Sequence, residues 1–389
     1  MPTGPAATTA PLRVLHLAHT SAWSGGEISL LRLIDALDER EVSSVLVCAE
    51  DGRLVDNARG RNVPTVIEPL AAGIRQRRRR QVGSLGTVAL VPSLVAYARR
   101  LARLARAERI DVIHTNSLKA FVYGTLAGRL AGVPVIAHLH DDLGHLRAGM
   151  AGAVVRALLR RLPQAVVGCS SYVLHEAQVR PSRSHVVYTG IPRRDVVGRS
   201  SPRPDPPVVG MVARIAPWKG QHLFLEAAAQ VATRRSDVRF RLVGAPMFGE
   251  QAYLEELRRR CQLPPLAGRV ELTGLVPDPR PEYDRLSVAV AASVLPEPFG
   301  NVIVEAMARG VPVVAPAEGG PAEILTDGVD GVLVPPRDPA AMAAAILGLL
   351  DSPARAAALA DRAVATTADR FTIEQGARRF MEIVRGVAS

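Results

Sequence analysis

The chain has 389 residues, beyond the roughly 250–300 at which a single hydrophobic core stops growing, so two domains are expected. Apolar content of 48% suits a globular chain with ample core, and three cysteines, far apart and odd in number, argue against a disulfide framework or a zinc site and favour a reducing, cytoplasmic setting. The formal net charge of +11 is uneven, with +12 in residues 1–200 and −1 in the remainder, so the first half either meets something anionic or carries a solvated basic surface.

Residues 1–11 read as a loose tail, without the basic-then-apolar order of a secretory signal. Short apolar runs then alternate with longer helical patterns, the signature of βαβ units around a parallel sheet. The strand candidates are "RVLHLAH" (13–19), "SSVLVCAE" (43–50), "DVIHTN" (111–116), "PVIAHLH" (134–140), "AVVGCS" (165–170) and "HVVYTG" (185–190). Helical stretches such as "EISLLRLIDALDE" (27–39) and "LVAYARRLARLARAE" (94–108) separate them. No apolar run approaches the ~20 residues needed to span a bilayer; the best, "VALVPSLVAYA" (88–98), is too short and contains Pro92.

The Pro/Ser/charge-rich segment "GRSSPRPDPP" (198–207) has the composition of a linker. Beyond it the alternation restarts with "VVGMVARI" (208–215), "FRLVGA" (240–245), "VELTGLV" (270–276), "SVAVAAS" (287–293), "VPVVAP" (311–316) and "GVLVPP" (331–336). The expected order is therefore a tail (1–11), a doubly wound α/β domain (12–197), a linker (198–207), a second doubly wound domain (208–370), and a closing helix (371–389) that packs back on the first domain. Ligands of such sheets bind outside the carboxyl ends of the strands, so a cleft between two such domains is the expected place for a site.

Two stretches of the second half carry chemistry. In "PEPFGNVIVEAMARGVPVVAP" (296–316), Glu297 sits in a Pro/Gly-punctuated loop and Glu305 about one turn inside the helix that begins near Asn301. A helix N-terminus offers unpaired N–H groups and about half a positive charge, a seat for phosphate or sugar oxygens. A carboxylate accepts two hydrogen bonds at once, which suits a vicinal diol. Two such acceptors beside an anion seat fit a sugar–diphosphate–nucleoside; the bland alternative is a pair of solvated or capping glutamates. In "VARIAPWKGQHLFLEA", Arg214 ends a strand and Lys219 precedes Gly220 in the following loop, two cations able to neutralise a diphosphate. Lys219 is one of only two lysines among 48 Lys+Arg, a pointer to a role that a planar guanidinium would not fill.

Through these residues the chain resembles the retaining nucleotide-sugar glycosyltransferases of family 4, which have the GT-B fold of two Rossmann-like domains facing each other across a cleft. The resemblance runs from about residue 13 to 385, through Glu-x7-Glu (Glu297 to Glu305), "ARGVPVVAPAEGGPAEILTDGVDGVLVPPRDP", "DVIHTNSLKAFVYGTLAGRLAGVPVIAHLHD" and "SGGEISLLRLIDAL". It implies that the first domain binds the acceptor and the second the donor. Arg214 and Lys219 would hold the donor diphosphate and offset charge on the leaving nucleotide. Glu297 would take the donor sugar's hydroxyls and Glu305 those of the ribose. Backbone at Phe299, Gly300 and Asn301 would approach sugar and phosphate, and the base would lie near Val276. His140, in "AHLHDD", matches the family histidine beside the transferred sugar, and Gly25 and Gly26 match its flexible glycine loop. One departure is Thr189, where the family commonly has Asn.

The implied reaction moves a hexose-type sugar from a UDP- or GDP-linked donor to an acceptor hydroxyl with retention, in polysaccharide, glycolipid or natural-product glycoside synthesis. The leaving phosphate itself would help to deprotonate the incoming hydroxyl. No Asp-x-Asp pair of the metal-dependent transferases occurs, so no metal and no cofactor are expected. The acceptor is left open among a glycan, a lipid-linked sugar and a small-molecule aglycone. "RQRRRRQ" (75–81) and Arg99, Arg103 and Arg106, opposite Leu94 and Leu101, could dock on anionic lipid headgroups at the inner face of the membrane, or be an ordinary solvated face. Nucleotide-sugar epimerases and sugar phosphorylases are the rival enzymes. A dinucleotide dehydrogenase lacks its G-x-G-x-x-G here, and an arginine-rich nucleic-acid binder would show interleaved aromatics and leave the second half unexplained, so no nucleic-acid partner is expected.

Overall fold

The computed structural model describes residues 10–38, 41–71, 91–141, 150–199, 202–247 and 249–389. The chain divides into two units, residues Met1–Tyr188 with Ile373–Ser389, and residues Thr189–Thr372. Among the described residues, each unit holds one wholly parallel sheet.

The sheet of the first unit has the order β3-β2-β1-β4-β5-β6-β7. Its strands are β1 (Leu12–Ala18), β2 (Val42–Cys48), β3 (Thr65–Ile67), β4 (Val112–Thr115), β5 (Val135–Leu139), β6 (Ala165–Gly168) and β7 (Ser184–Val186). Strand order reverses between β1 and β4, whose register pairs Val14 with Val112 and Leu17 with Thr115. The sheet is buried on both faces, which is why its strands read as near-continuous apolar runs. On one face Leu15, Leu17 and Ile113 pack with Tyr97, Leu101 and Tyr123. On the other, Val14, Ile136 and Val167 pack with Phe380, Ile383 and Val384 of the C-terminal helix Ile373–Ala388. Each of those fully buried side chains stabilises the unit by roughly 1.5–3 kcal/mol, so that helix is an integral layer of the first unit.

The second sheet has the order β10-β9-β8-β11-β12-β13. Its strands are β8 (Val208–Val212), β9 (Arg239–Val243), β10 (Val270–Gly274), β11 (Val288–Val290), β12 (Val313–Pro316) and β13 (Val332–Val334). Here the reversal falls between β8 and β11. Val209, Met211, Phe240, Leu242, Val288 and Val314 form the core with Phe224 and Val231 of helix Gln221–Arg234 and Ile346 of helix Pro339–Leu350.

The division between the units falls earlier than the composition suggests. Residues 198–207 do not link them; their described part belongs to the second unit. Val197 N and Gly198 N both donate to Ala308 O, Arg199 donates to Leu286 O, and Ile191 N donates to Phe371 O. Backbone tied down by hydrogen bonds is structure, whatever its proline content. The short edge strand β3, between Pro64 and Pro69 in "PTVIEP", was not foreseen, because three residues are too few to display a period of two. No single helix among the described residues is long and apolar enough to cross a membrane.

Candidate functional site

In the second unit, the loops after β8 and β11 meet at the sheet's reversal point, where ligands of open α/β sheets bind. Arg214 leaves the end of β8, and the turn Pro217–Lys219 leads into helix Gln221–Arg234 through Gly220. Gly220 has φ +78°, and a Cβ there would lie 1.8 Å from Ala292 O, so only glycine lets this turn press on the end of the β11 segment. Val294 N donates to Trp218 O at 2.8 Å and knits the two loops together.

That contact sets the geometry of the charges. Lys219 Nζ lies 2.5 Å from Glu297 Oε1, with side chains 15% and 10% exposed. Ser293, itself buried, donates its hydroxyl to the same oxygen. Glu297 Oε2 has no hydrogen-bond partner among the described residues. Trp218 lies beneath both cations, with Lys219 Nζ 4.3 Å and the Arg214 guanidinium carbon 5.6 Å from its ring centroid. The structure thus brings Arg214, Lys219 and Glu297 into one group. It offers two positive charges and one open carboxylate oxygen, in partly desolvated surroundings where electrostatic interactions are stronger than in water.

Glu305 occupies helix Asn301–Ala308, whose N-cap Gly300 has φ +125°, a backbone conformation that favours glycine. Ile303, Val304, Ala306 and Met307 bury the inner face of that helix and leave Glu305 half-buried, where it accepts a 3.1 Å hydrogen bond from Tyr283 OH. Phe299 is a core anchor, packed on Phe371 at 5.9 Å between ring centroids, so its backbone rather than its ring is what the loop presents. Val276 lies in the loop after β10, two strands from β8 on the same carboxyl edge, and is half-buried.

In the first unit, Gly25 and Gly26 are not a free loop but the first two residues of helix Gly25–Ala36 after N-cap Ser24. Ser24 Oγ donates to Glu27, and burial pushes the Glu27 carboxyl above its usual range. His140 follows β5 directly and is half-buried, with Nε2 2.7 Å from Asn116 Oδ1. Burial pushes His140 down to about 4, so its ring is neutral at ordinary pH. Behind it, at 4.1 Å between centroids, lies His138. A buried row of imidazoles runs on from there across three strands, His138 Nδ1 to His114 Nε2 at 3.0 Å and His114 Nδ1 to His16 Nδ1 at 2.9 Å. Phe380 of the C-terminal helix packs against His114 at 4.8 Å. Burial holds His16 near 3, and His114 and His138 well below the ordinary histidine value.

Of the basic segments, residues 75–81 lie outside the described residues. Helix Val91–Ala107 buries Tyr97, Ala98, Leu101 and Ala105 and exposes Arg99, Arg103 and Arg106. Arg106 donates to Leu130 O, so this helix is a layer of the fold with an arginine edge. Among the described residues, no group of three or more His, Cys, Asp or Glu could hold a metal ion.

Sequence reasoning missed Ser293, Tyr283 and Asn116, which act on site residues from strand ends or helices without a motif of their own. Trp218 carried a signal that could have been used, as one of two tryptophans in a chain with 4% aromatic residues.

Residues 23–194 match the family model described as Glycosyltransferase Family 4, and residues 206–352 the one described as Glycosyl transferases group 1. A D-inositol 3-phosphate glycosyltransferase of Thermobispora bispora is 31% identical over 303 residues, covering 71% of this chain and 70% of the relative. One of Catenulispora acidiphila is 30% identical over 276 residues, covering 64% of this chain and 66% of the relative, just under two thirds of its length. Among solved structures, HepE of Anabaena in complex with UDP and glucose superposes with a TM-score of 0.79 at 28% identity, covering 95% of this chain and 98% of that one. Sucrose-phosphate synthase of Thermosynechococcus elongatus, at 20% identity and a TM-score of 0.76 with 96% and 98% covered, shares the fold.

Proposed function

The chain belongs to glycosyltransferase family 4 and has its GT-B fold, and from that premise we propose that it transfers a hexose from a UDP-linked donor to a polyol or glycan hydroxyl, with retention and without a metal. The observation that carries this reading is the group Arg214, Lys219 and Glu297 at the reversal point of the second sheet. Arg214 and Lys219 meet the diphosphate and stabilise the charge that grows on it as the bond to the anomeric carbon breaks. That is the task a divalent cation performs in metal-dependent transferases. Glu297 Oε2 accepts from the donor sugar's hydroxyls, while Oε1, held by Lys219 and Ser293, fixes its direction. Glu305, steadied by Tyr283, takes the ribose diol.

The choice of UDP-hexose rests on the likeness to HepE, whose structure with UDP-glucose superposes with a TM-score of 0.81 at 26% identity. The choice of a polyol hydroxyl rests on the names of the relatives. In the transfer, the acceptor oxygen bonds to the anomeric carbon on the face that UDP leaves, and the acceptor proton passes to the departing phosphate oxygen. The protein supplies orientation and charge, with no covalent intermediate. Incubation of the purified protein with a panel of UDP- and GDP-hexoses, with and without inositol phosphate, tests the reading. Release of nucleotide, accelerated by acceptor, with an anomeric proton of retained configuration is expected. Isomerised donor, or sugar phosphate formed with inorganic phosphate, would overturn it.

A further inference from the structure

Asn116 joins two pieces of the first unit that the sequence singled out separately. It follows β4, at the reversal point of that sheet, and is 4% exposed. Its own N–H donates to Leu17 O at 3.0 Å, which fixes the backbone. Its Nδ2 donates to Gly26 O at 3.1 Å, and its Oδ1 lies 2.7 Å from His140 Nε2. These contacts leave the amide one orientation. A carbonyl only accepts, so the NH2 group must face Gly26, and Oδ1 must face the imidazole. His140 therefore carries its proton on Nε2, and Nδ1 keeps its lone pair. Nδ1 has no hydrogen-bond partner among the described residues.

We propose that Asn116 is a positioning residue of the transfer reaction, tethering the start of helix Gly25–Ala36 at Gly26 to His140 and fixing that ring with Nδ1 as the acceptor for a substrate hydroxyl. The assignment of one imidazole nitrogen by the bond that the other makes is the usual way a histidine's tautomer is set. Among the described residues, Asp141 is the charged group that acts on this ring, and the ring in turn acts on its neighbours His138 and His114. The carboxylate of Asp141 favours protonation, and burial outweighs it. Gly26 lies beside His140: a Cβ there would meet His140 Cβ and Cγ at 3.9 Å, an ordinary van der Waals contact.

The inference rests on the glycosyl-transfer reading, and the experiment separates the two. Nitrogen-15 NMR of histidine-labelled protein reads the tautomer and titration of His140 without any turnover. The expected result is an Nε2-protonated neutral ring in the wild type across pH 5–8. In Asn116→Asp, a carboxylate facing Nε2–H should move the His140 titration midpoint upward by at least about one pH unit. In Asn116→Ala the two tautomers should mix, and kcat should fall by about 100-fold with donor KM within about twofold, the signature of lost orientation rather than lost donor binding. A merely structural role would lower thermal stability and leave the tautomer and the pH–rate profile unchanged. An Nδ1-protonated ring in the wild type, or an Asn116→Asp protein with unaltered titration, overturns the proposal. A wild type with the expected tautomer but no sugar transfer overturns the function instead.

Discussion

Lys219 Nζ donates to Glu297 Oε1 across 2.5 Å, and the two side chains come from loops 78 positions apart in the sequence. The pair exists because Gly220 lets one loop press on the other and because Ser293 holds the same oxygen. Replacing Lys219 by Ala should lower kcat/KM by about 100- to 1,000-fold, the usual loss when one preorganised charge-stabilising group is removed. Lys219→Arg should recover little, because a planar fork does not replace a compact ammonium over Trp218. Steady-state kinetics on the three proteins decides it, and a full rescue by arginine would count against a Lys-specific seat. Combined with Glu297→Ala, the losses should not add, since each substitution already breaks the other's partner.

Glu305 should act on nucleotide binding. Glu305→Ala is expected to weaken UDP affinity by roughly tenfold or more, the scale of hydrogen bonds to a charged group. Tyr283→Phe, which removes the 3.1 Å bond that steadies the carboxylate, should weaken it by a few-fold. Calorimetry with UDP measures both, and equal affinities across the three proteins would remove Glu305 from the site.

The imidazole row makes stability depend on pH in a defined direction. His16, near 3, His140, near 4, and His114 and His138, lower still than ordinary, are all neutral in the folded state because burial disfavours the charge. In the unfolded chain each binds a proton below about pH 6.5. Folding therefore releases protons, so stability is complete above about 6.5 and is lost as pH falls through 6 and 5. The loss is about 2 kcal/mol per imidazole at pH 5. The raised carboxyl of Glu27 works the other way, one group against four. Thermal melts from pH 8 to 5 should show a level Tm down to about 6.5 and a steep fall beneath it. His114→Asn should flatten that fall.

Chelation tests the electrostatic assignment of Arg214 and Lys219. Dialysis against EDTA should leave turnover unchanged, and added manganese should not raise it. Activity abolished by EDTA and restored by manganese would mean that the two cations do not suffice.

The fold was legible because parallel strands buried on both faces spell themselves out as apolar runs, as "VVGMV" and "VVAP" do. The residues of the candidate site stood out for a related reason. Arg214, Lys219 and Glu297 sit in the loops after β8 and β11, and Glu305 one turn into the following helix, where polar residues break an apolar run. What stayed hidden depends on contacts between distant strands. Ser293 looks like the last residue of a strand, yet its hydroxyl fixes Glu297. Asn116, in "HTN", looks like a loop residue, yet its position at the end of β4, the strand between β1 and β5, makes it a tether. His138 and His140 alternate on a strand as core residues do, and only the assembled sheet shows that His16 pairs with His114 in register and that His138, two residues beyond His114's partner Ile136, reaches it diagonally. The domain division was misplaced because composition reports flexibility of a free chain, while Val197 and Gly198 are bonded to Ala308.

The central claim is that the loops after β8 and β11 hold a nucleoside diphosphate through Arg214 and Lys219. Isothermal titration of the full chain with UDP, GDP and ADP tests it most directly, with Lys219→Ala and Arg214→Ala proteins alongside. One nucleoside diphosphate, expected to be UDP, should bind with a Kd in the micromolar range in the wild type, and either substitution should weaken it by at least about tenfold. No uptake of any of the three by the folded wild type, or uptake indifferent to both substitutions, would contradict it.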